Sequence, residues 1–475
     1  MSFTRTSKLA SKLMNLYATL NKILQDWNCV FPQKRSFDRA IKLAFCSLCT
    51  FGRRTISRAI CFSGFDDVDW TADYRLFSRV KWKVEDLFSP ILKRAVNLID
   101  DDLIAIGFDD TVIKKKGKKI PGTRWLRDSL SPVFNVNIIW GMRFLQASVL
   151  IPLYNKDRKT PPRAIPIQFK PVPPVKKPKK KAPKEEWEAY ELEKKTRNLS
   201  FYFLEALTSA RSELNKLGFK DKKLLAVVDG SFCNKSCMNF DLENVDIIAR
   251  ARKNAALCFR LKKKEGKRFY QKRVFTPESV QKDKSIPWIE TEAYHSGNWR
   301  EIKYKEMKEV YWKTGTKKKP VRLIVLAPTP YRLTKKGRLY YREAAYLLTT
   351  DLETETLVLI QKYLDRWQIE VNFREEKNDL GLGQAQVWSD DSVNRQPAFV
   401  VASYAALLLA SIELYQDRRM ECFIKLPKWR RKASLRPSCL DLLNQLRQEV
   451  IDSKRNLGKI GIKRELESQI FKMAA

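Results

Sequence analysis

The chain is poor in the residues on which much enzyme chemistry rests. It holds a single histidine, His295, in 475 residues. That excludes zinc sites built on imidazoles and leaves little room for a serine–histidine–aspartate relay. His295 itself reads as a surface or hydrogen-bonding residue. There is no G-x-x-x-x-G-K-[ST] loop and no strand-linked G-x-G-x-x-G, so nucleotide cofactors have no motif to hold them. Nine cysteines are scattered. Cys46 and Cys49 form a lone C-x-x-C without a second pair near enough to complete a zinc site. They read as reduced, buried thiols of a cytosolic protein. The most apolar run, residues 397–415, falls slightly short of a membrane span and contains Ser403 and Tyr404, which makes it a core helix. The first residues lack the continuous apolar stretch of a signal peptide, and neither end carries a lipidation signal.

What the chain has in excess is positive charge. Ninety-two Lys and Arg face 54 Asp and Glu, a net charge of +38. Such an excess is self-repelling unless a polyanion neutralises it, and nucleic acid is the commonest such partner. No polybasic segment adjoins a spanning helix, which argues against an anionic membrane. Apolar residues at 44% and charged residues at 31% suit a folded, water-soluble chain of several domains. With histidine and nucleotide motifs set aside, carboxylates working with a metal ion are the remaining chemistry.

Along the chain the texture changes several times. Residues 1–95 read as a helical, DNA-binding unit, in which Thr55 caps a basic helix that turns Ile56, Ala59 and Ile60 inward. Residues 103–115, 133–144 and 146–156 read as three strands of an antiparallel meander. The Pro/Lys-rich stretch 157–184 reads as an extended, phosphate-seeking surface loop. A long helix over 185–217 leads to a buried strand at 223–232, then to a short helix and a further strand at 245–252. Residues 253–345 read as a separate β-rich insertion, with Trp288, Trp299 and Trp312 among basic runs. The core style resumes over 346–415, where Thr354 is expected to cap a charged helix. Residues 416–475 read as helical and basic.

Three carboxylate positions stand out. Asp109 and Asp110 end one apolar strand, Asp229 ends another, and Glu370 lies on the charged helix. Strand ends hold side chains rigidly at an exposed edge. In "KYLDRWQIEVNFREEKNDLGLG", residues 362–383, Tyr363, Arg366, Glu370 and Lys377 fall within one arc of roughly 60° on a helix. Glu375 and Glu376 point elsewhere. Taken singly, such aspartates are turn residues and such a stripe is a solvated face. Together they describe carboxylates converging in a basic protein, which repel unless cations bind between them. Magnesium takes one or two carboxylates per ion, and two ions about 4 Å apart serve phosphodiester transfer.

Tyr363, Arg366, Glu370 and Lys377 match Y-x2-R-x3-E-x6-K, the signature of DDE-type cut-and-paste transposases of bacterial insertion sequences, and the chain resembles that family over most of its length. The resemblance implies a mixed α/β (α+β) fold: a ribonuclease-H-like core over 96–252 and 346–415, interrupted by the β-rich insertion. It implies that Asp109, Asp229 and Glu370 hold two Mg²⁺ (or Mn²⁺) ions. The family's D-x-[ST] pattern favours Asp109, because Thr111 follows, and Asp110 stays open as the alternative. Tyr363, Arg366 and Lys377 would contact phosphates of the element's end. The family passes through a DNA hairpin and stacks an aromatic residue of the insertion on an extruded base, for which Trp288, Trp299 and Trp312 are the candidates. The implied partners are double-stranded DNA, as terminal inverted repeats and target, and a second copy of the chain joined through the C-terminal helices. No membrane and no nucleotide cofactor is implied, and the expected location is the bacterial cytoplasm, at the nucleoid.

Overall fold

The computed structural model describes residues 15–64, 69–128, 131–132, 134–154, 160–265, 268–334, 337–415 and 436–453. Of the region 416–475 expected to be helical and basic, residues 416–435 and 454–475 lie outside them. Among the described residues five helices come first: α1 (Leu16–Gln25), α2 (Lys34–Cys49), α3 (Ile56–Ser63), α4 (Thr71–Ser78) and α5 (Val84–Val96). Thr55 caps α3 by accepting from the Arg58 N–H, and Ile56, Ala59 and Ile60 are buried. Cys46 and Cys49 are buried.

The sheet follows. Strand β1 (Leu103–Lys114) is joined by β2 (Arg124–Arg127), β3 (Ile138–Ile151) and β4 (Arg163–Val172). Two expectations change here. The strands anticipated at 133–144 and 146–156 are one continuous strand, because nothing between Phe144 and Ser148 breaks extended backbone and every residue from Phe144 onward is buried. The segment anticipated as surface loop contains β4, nearly all of it buried. Its Pro166 and Pro171 sit on an edge strand, where a missing N–H leaves no ladder bond unmade.

Helices α6 (Lys184–Thr196) and α7 (Leu199–Lys216) replace the single helix expected over 185–217, and α6 buries no residue. Then come β5 (Lys223–Val228), the one-turn α8 (Lys235–Met238) and β6 (Val245–Arg250). The region read as a separate insertion holds β7 (Leu257–Glu265), β8 (Arg268–Phe275), α9 (Pro277–Lys282), β9 (Ile289–His295), β10 (Asn298–Val310), β11 (Val321–Leu326), β12 (Pro330–Arg332) and β13 (Leu339–Tyr341). Strand β14 (Ala345–Thr349) leads to α10 (Thr356–Asp365), α11 (Trp367–Asn378), α12 (Asp390–Tyr415) and α13 (Cys439–Ser453).

The main sheet runs β2-β3-β1-β5-β6-β14-β11-β10-β9, with β4 also on β3. Strands β1, β5 and β6 are parallel, while β3, β4 and everything beyond β6 pair antiparallel. The insertion is therefore not wholly separate: β9, β10 and β11 prolong the main sheet through β14, and only β7–β8 and β12–β13 form ribbons of their own. Alternation along β1 divides the faces. Ile104, Ile106 and Phe108 join the large core, where Phe108 meets Phe203 of α7; Ala105 joins the smaller cluster that holds Leu359 and Ile360 of α10 and Ile369 of α11.

Helix α12 is apolar on all sides and long enough to span a membrane by composition alone, yet it is buried inside the fold, as a helix without a polar face must be. Phe399 meets both Trp27 and Phe77, so the first five helices gather round α12 instead of standing apart.

Candidate functional site

Asp109 lies in the middle of β1, not at its end as expected. Parallel pairing of β1 with β5 stops at Gly107 opposite Val227, and two residues further along each strand stand Asp109 and Asp229. The two carboxylates therefore share one sheet edge and the face covered by α10 and α11. Gly107 lets α11 come this close. A Cβ there would lie 2.3 Å from Ile369 Cδ1, well inside contact distance.

The charged stripe spans two helices. The helix breaks at Arg366, whose carbonyl accepts a tight bond from the Ile369 N–H at 2.9 Å. Thr354 does not cap α10: its hydroxyl donates to Asp351, and Glu355 occupies the cap position. From the break, Arg366 Nη1 donates to Asp109 Oδ2 at 3.0 Å and Nη2 to Glu370 Oε1 at 3.4 Å. Tyr363 lies under the same guanidinium, 6.0 Å from ring centre to cation. Asp229 accepts from the Ser231 N–H at 2.9 Å and hydroxyl at 2.5 Å.

Electrostatics tie these groups together. Burial pushes the Asp109 carboxyl up to about 7; Arg366 opposes this, and the charges of Asp229 and Asp110 add to it. Glu370 is raised by burial, against Arg366 and with Asp229. Burial disfavours the Arg366 cation, but Asp109, Tyr363 and Glu370 more than reverse that. Asp110 turns to Arg143 instead, at 3.3 Å, and is raised by burial. Lys377, one helical stretch on, has its ammonium pushed down by burial and feels Glu376 and Asp110.

Asp109, Asp229, Glu370, Tyr363 and Arg366 thus meet on one face, while Asp110 and Lys377 lie beside them. Among the described residues no three acidic, imidazole or thiol groups stand close enough to share one ion. Arg366 occupies the space between Asp109 and Glu370. The donor set nevertheless suits a hard divalent cation: all oxygen, few in number and short of positive charge, as the raised Asp109 shows.

A cleft of about 630 Å³ opens beside them, lined among others by Arg250, His295, Arg342, Tyr363, Arg366 and Glu370. Arg250 is a residue that strand reading overlooked; it ends β6, the next parallel strand after β5, so the strand-end rule that singled out Asp229 would have found it. Trp367 also lines the cleft and is 60% exposed. Trp288, Trp299 and Trp312 are half-buried instead. Trp288 lies against Lys305, Trp299 against Tyr154 and Tyr294, and Trp312 packs on the core.

No family model and no curated protein sequence matches the chain. Among solved structures, it resembles the chain in a cryo-EM structure of a piggyBac transposase synaptic complex with hairpin DNA, at TM-score 0.31 and 11% identity, covering 77% of this chain and 56% of that one. The protein thus spans little more than half the length of the chain it resembles.

Proposed function

We propose that the protein is a DNA transposase of the DDE type, which cleaves the inverted-repeat ends of its own element and joins them to target DNA by a cut-and-paste route with a hairpin intermediate. The observation that carries the reading is the meeting of Asp109 and Asp229, 120 residues apart in sequence, with the Arg366–Glu370 pair on one face of a parallel sheet edge. The order β4-β3-β1-β5-β6, with β1, β5 and β6 parallel and β3 reversed, supports a ribonuclease-H-like core.

Asp109, Asp229 and Glu370 would hold Mg²⁺, and geometry favours Asp109 over Asp110 as the first carboxylate. Bound there, a divalent ion supplies a Lewis acid for phosphodiester chemistry. The chain's own groups do the rest. Arg366 forks toward carboxylates now and suits a phosphate equally. Tyr363 presents one phenol donor, and Lys377 a point charge beside Asp110. Helix α3, which carries Arg58, would read the element's ends, and a second copy of the chain would join through the C-terminal region.

A labelled duplex carrying the element's terminal repeat tests this. Cleavage should require Mg²⁺, and Glu370→Ala should abolish cleavage while keeping binding; undiminished cutting by that variant refutes the site. Matching short inverted repeats on either side of the reading frame are the inexpensive companion observation. The Arg366 bridge favours one rival, a DNA-binding protein of this fold in which an arginine permanently replaces the ion. That rival binds the duplex and never cuts it.

A further inference from the structure

We propose that the notch between β2 and β4 is a second anion site, which grips a backbone phosphate of the DNA beside the carboxylate cleft; the DNA assignment rests on the function proposed above. Both strands pair with the same edge of β3, β2 beginning at Arg124 opposite Gly141 and β4 ending at Val172 opposite Arg143. Between them opens a cavity of about 350 Å³, lined by Arg124, Arg143, Pro173, Lys194, Arg197 and Asn198 among others.

Arg124 is the informative residue. Its Nε is buried without a hydrogen-bond partner among the described residues. Burial lowers its basicity and the nearby Arg143 lowers it further. A buried guanidinium donor with no acceptor is unfavourable unless an anion completes it. Arg143 is partly satisfied by Asp110 at 3.3 Å, Arg197 by Glu193 at 2.8 Å and Lys194 by Glu191 at 3.5 Å. Four cations thus have three carboxylates, and the one without a carboxylate faces the cavity. The N-terminus of the 18-residue helix α7 also opens on it through Asn198 and Leu199, adding the partial positive charge of its free N–H groups.

Location selects the ligand. The Asp110–Arg143 pair links β1 to the notch, and Asp110 directly follows the Asp109 that faces Arg366. The exposed lysines of 176–181 follow Pro173 in the chain and add positive charge of the kind a phosphate backbone meets.

Two measurements on the full chain test this, both without Mg²⁺. Inorganic pyrophosphate should raise the melting temperature of the wild type and leave Arg124→Gln unmoved. Binding of a labelled duplex, followed against NaCl, should weaken several-fold in Arg124→Gln, and the log–log salt slope should shrink by about 0.9 for one lost phosphate. If Arg124→Gln does not fold, Arg197→Gln on the exposed rim replaces it in both measurements. No pyrophosphate effect on the wild type, or equal effects on wild type and variant, overturns the pocket. A pyrophosphate effect with an unchanged DNA slope overturns the DNA assignment and leaves a site for free phosphate only. A wild type that binds pyrophosphate but no DNA removes the proposed function while the anion site stands.

Discussion

The two ends of the parallel strands carry the same residue types and opposite electrostatics. At the amino end, Lys223 reaches Asp246 and Asp351, each at 2.9 Å. Burial alone would raise the Asp351 carboxyl, but hydrogen bonds from Thr354 and Lys223 overrule it and hold it below the usual range. At the carboxyl end, Asp109, Asp110 and Glu370 are all raised, because Arg366 and Arg143 do not offset their burial. One edge is neutralised and contributes stability. The other holds carboxyls whose burial its arginines do not offset, at the expense of stability. Carboxylates at strand ends are thus distinguished by their partners, not by position.

The comparison can be broken in four ways. The largest effect is expected from Asp229→Asn, which should lower cleavage by roughly 10²–10³-fold in a gel assay with an unchanged melting temperature; the equivalent change at the other end, Asp246→Asn, should leave cleavage intact. Second, Lys223→Met leaves Asp351 buried without its cation and should destabilise by roughly 3 kcal/mol in urea unfolding. Third, Gly107→Ala pushes Ile369 and α11 away from β1 and should destabilise by about 1–3 kcal/mol. Its effect on cleavage should exceed its effect on DNA binding, since Arg366 and Glu370 move together.

The smallest effect sharpens the contrast through pH. Asp351 has a depressed carboxyl, so its stabilisation is present above the unfolded value of 3.8 and fades as the solution is acidified through its folded value. Asp109 has the reverse sign. Raised to about 7, it binds a proton on folding, so stability declines as pH climbs from about 4 to about 7. Asp109→Asn should therefore stabilise at pH 8, by about 1–2 kcal/mol, and have no such benefit at pH 4. Parallel urea titrations of the wild type, Asp109→Asn and Lys223→Met at pH 4 and pH 8 check both signs.

Much of this edge was readable from residue order, for local reasons. A helical wheel places Tyr363, Arg366 and Glu370 together, and the run at 223–228 ends on Asp229. The wheel could not show the break at Arg366, from which the guanidinium reaches Asp109. Strand β4 was hidden because Pro166, Lys170 and Pro171 resemble a solvated loop; its burial depends on pairing with β3 and on α12, which lies far along the chain. The sheet's extension through β14 was hidden likewise, since register between β6 and β14 joins residues about 100 apart. Trp367 was passed over because aromatic residues were sought in the insertion.

Helix α12 sets a practical boundary on dissecting the molecule. Trp27 and Phe77 have their ring partner in Phe399, over 300 residues later, and Arg447 reaches back to the Cys49 carbonyl at 2.9 Å. Expressing residues 1–95 alone would strip that surface bare and yield an insoluble fragment. A change in the first five helices can therefore be felt mechanically at the main sheet, through the packing around α12.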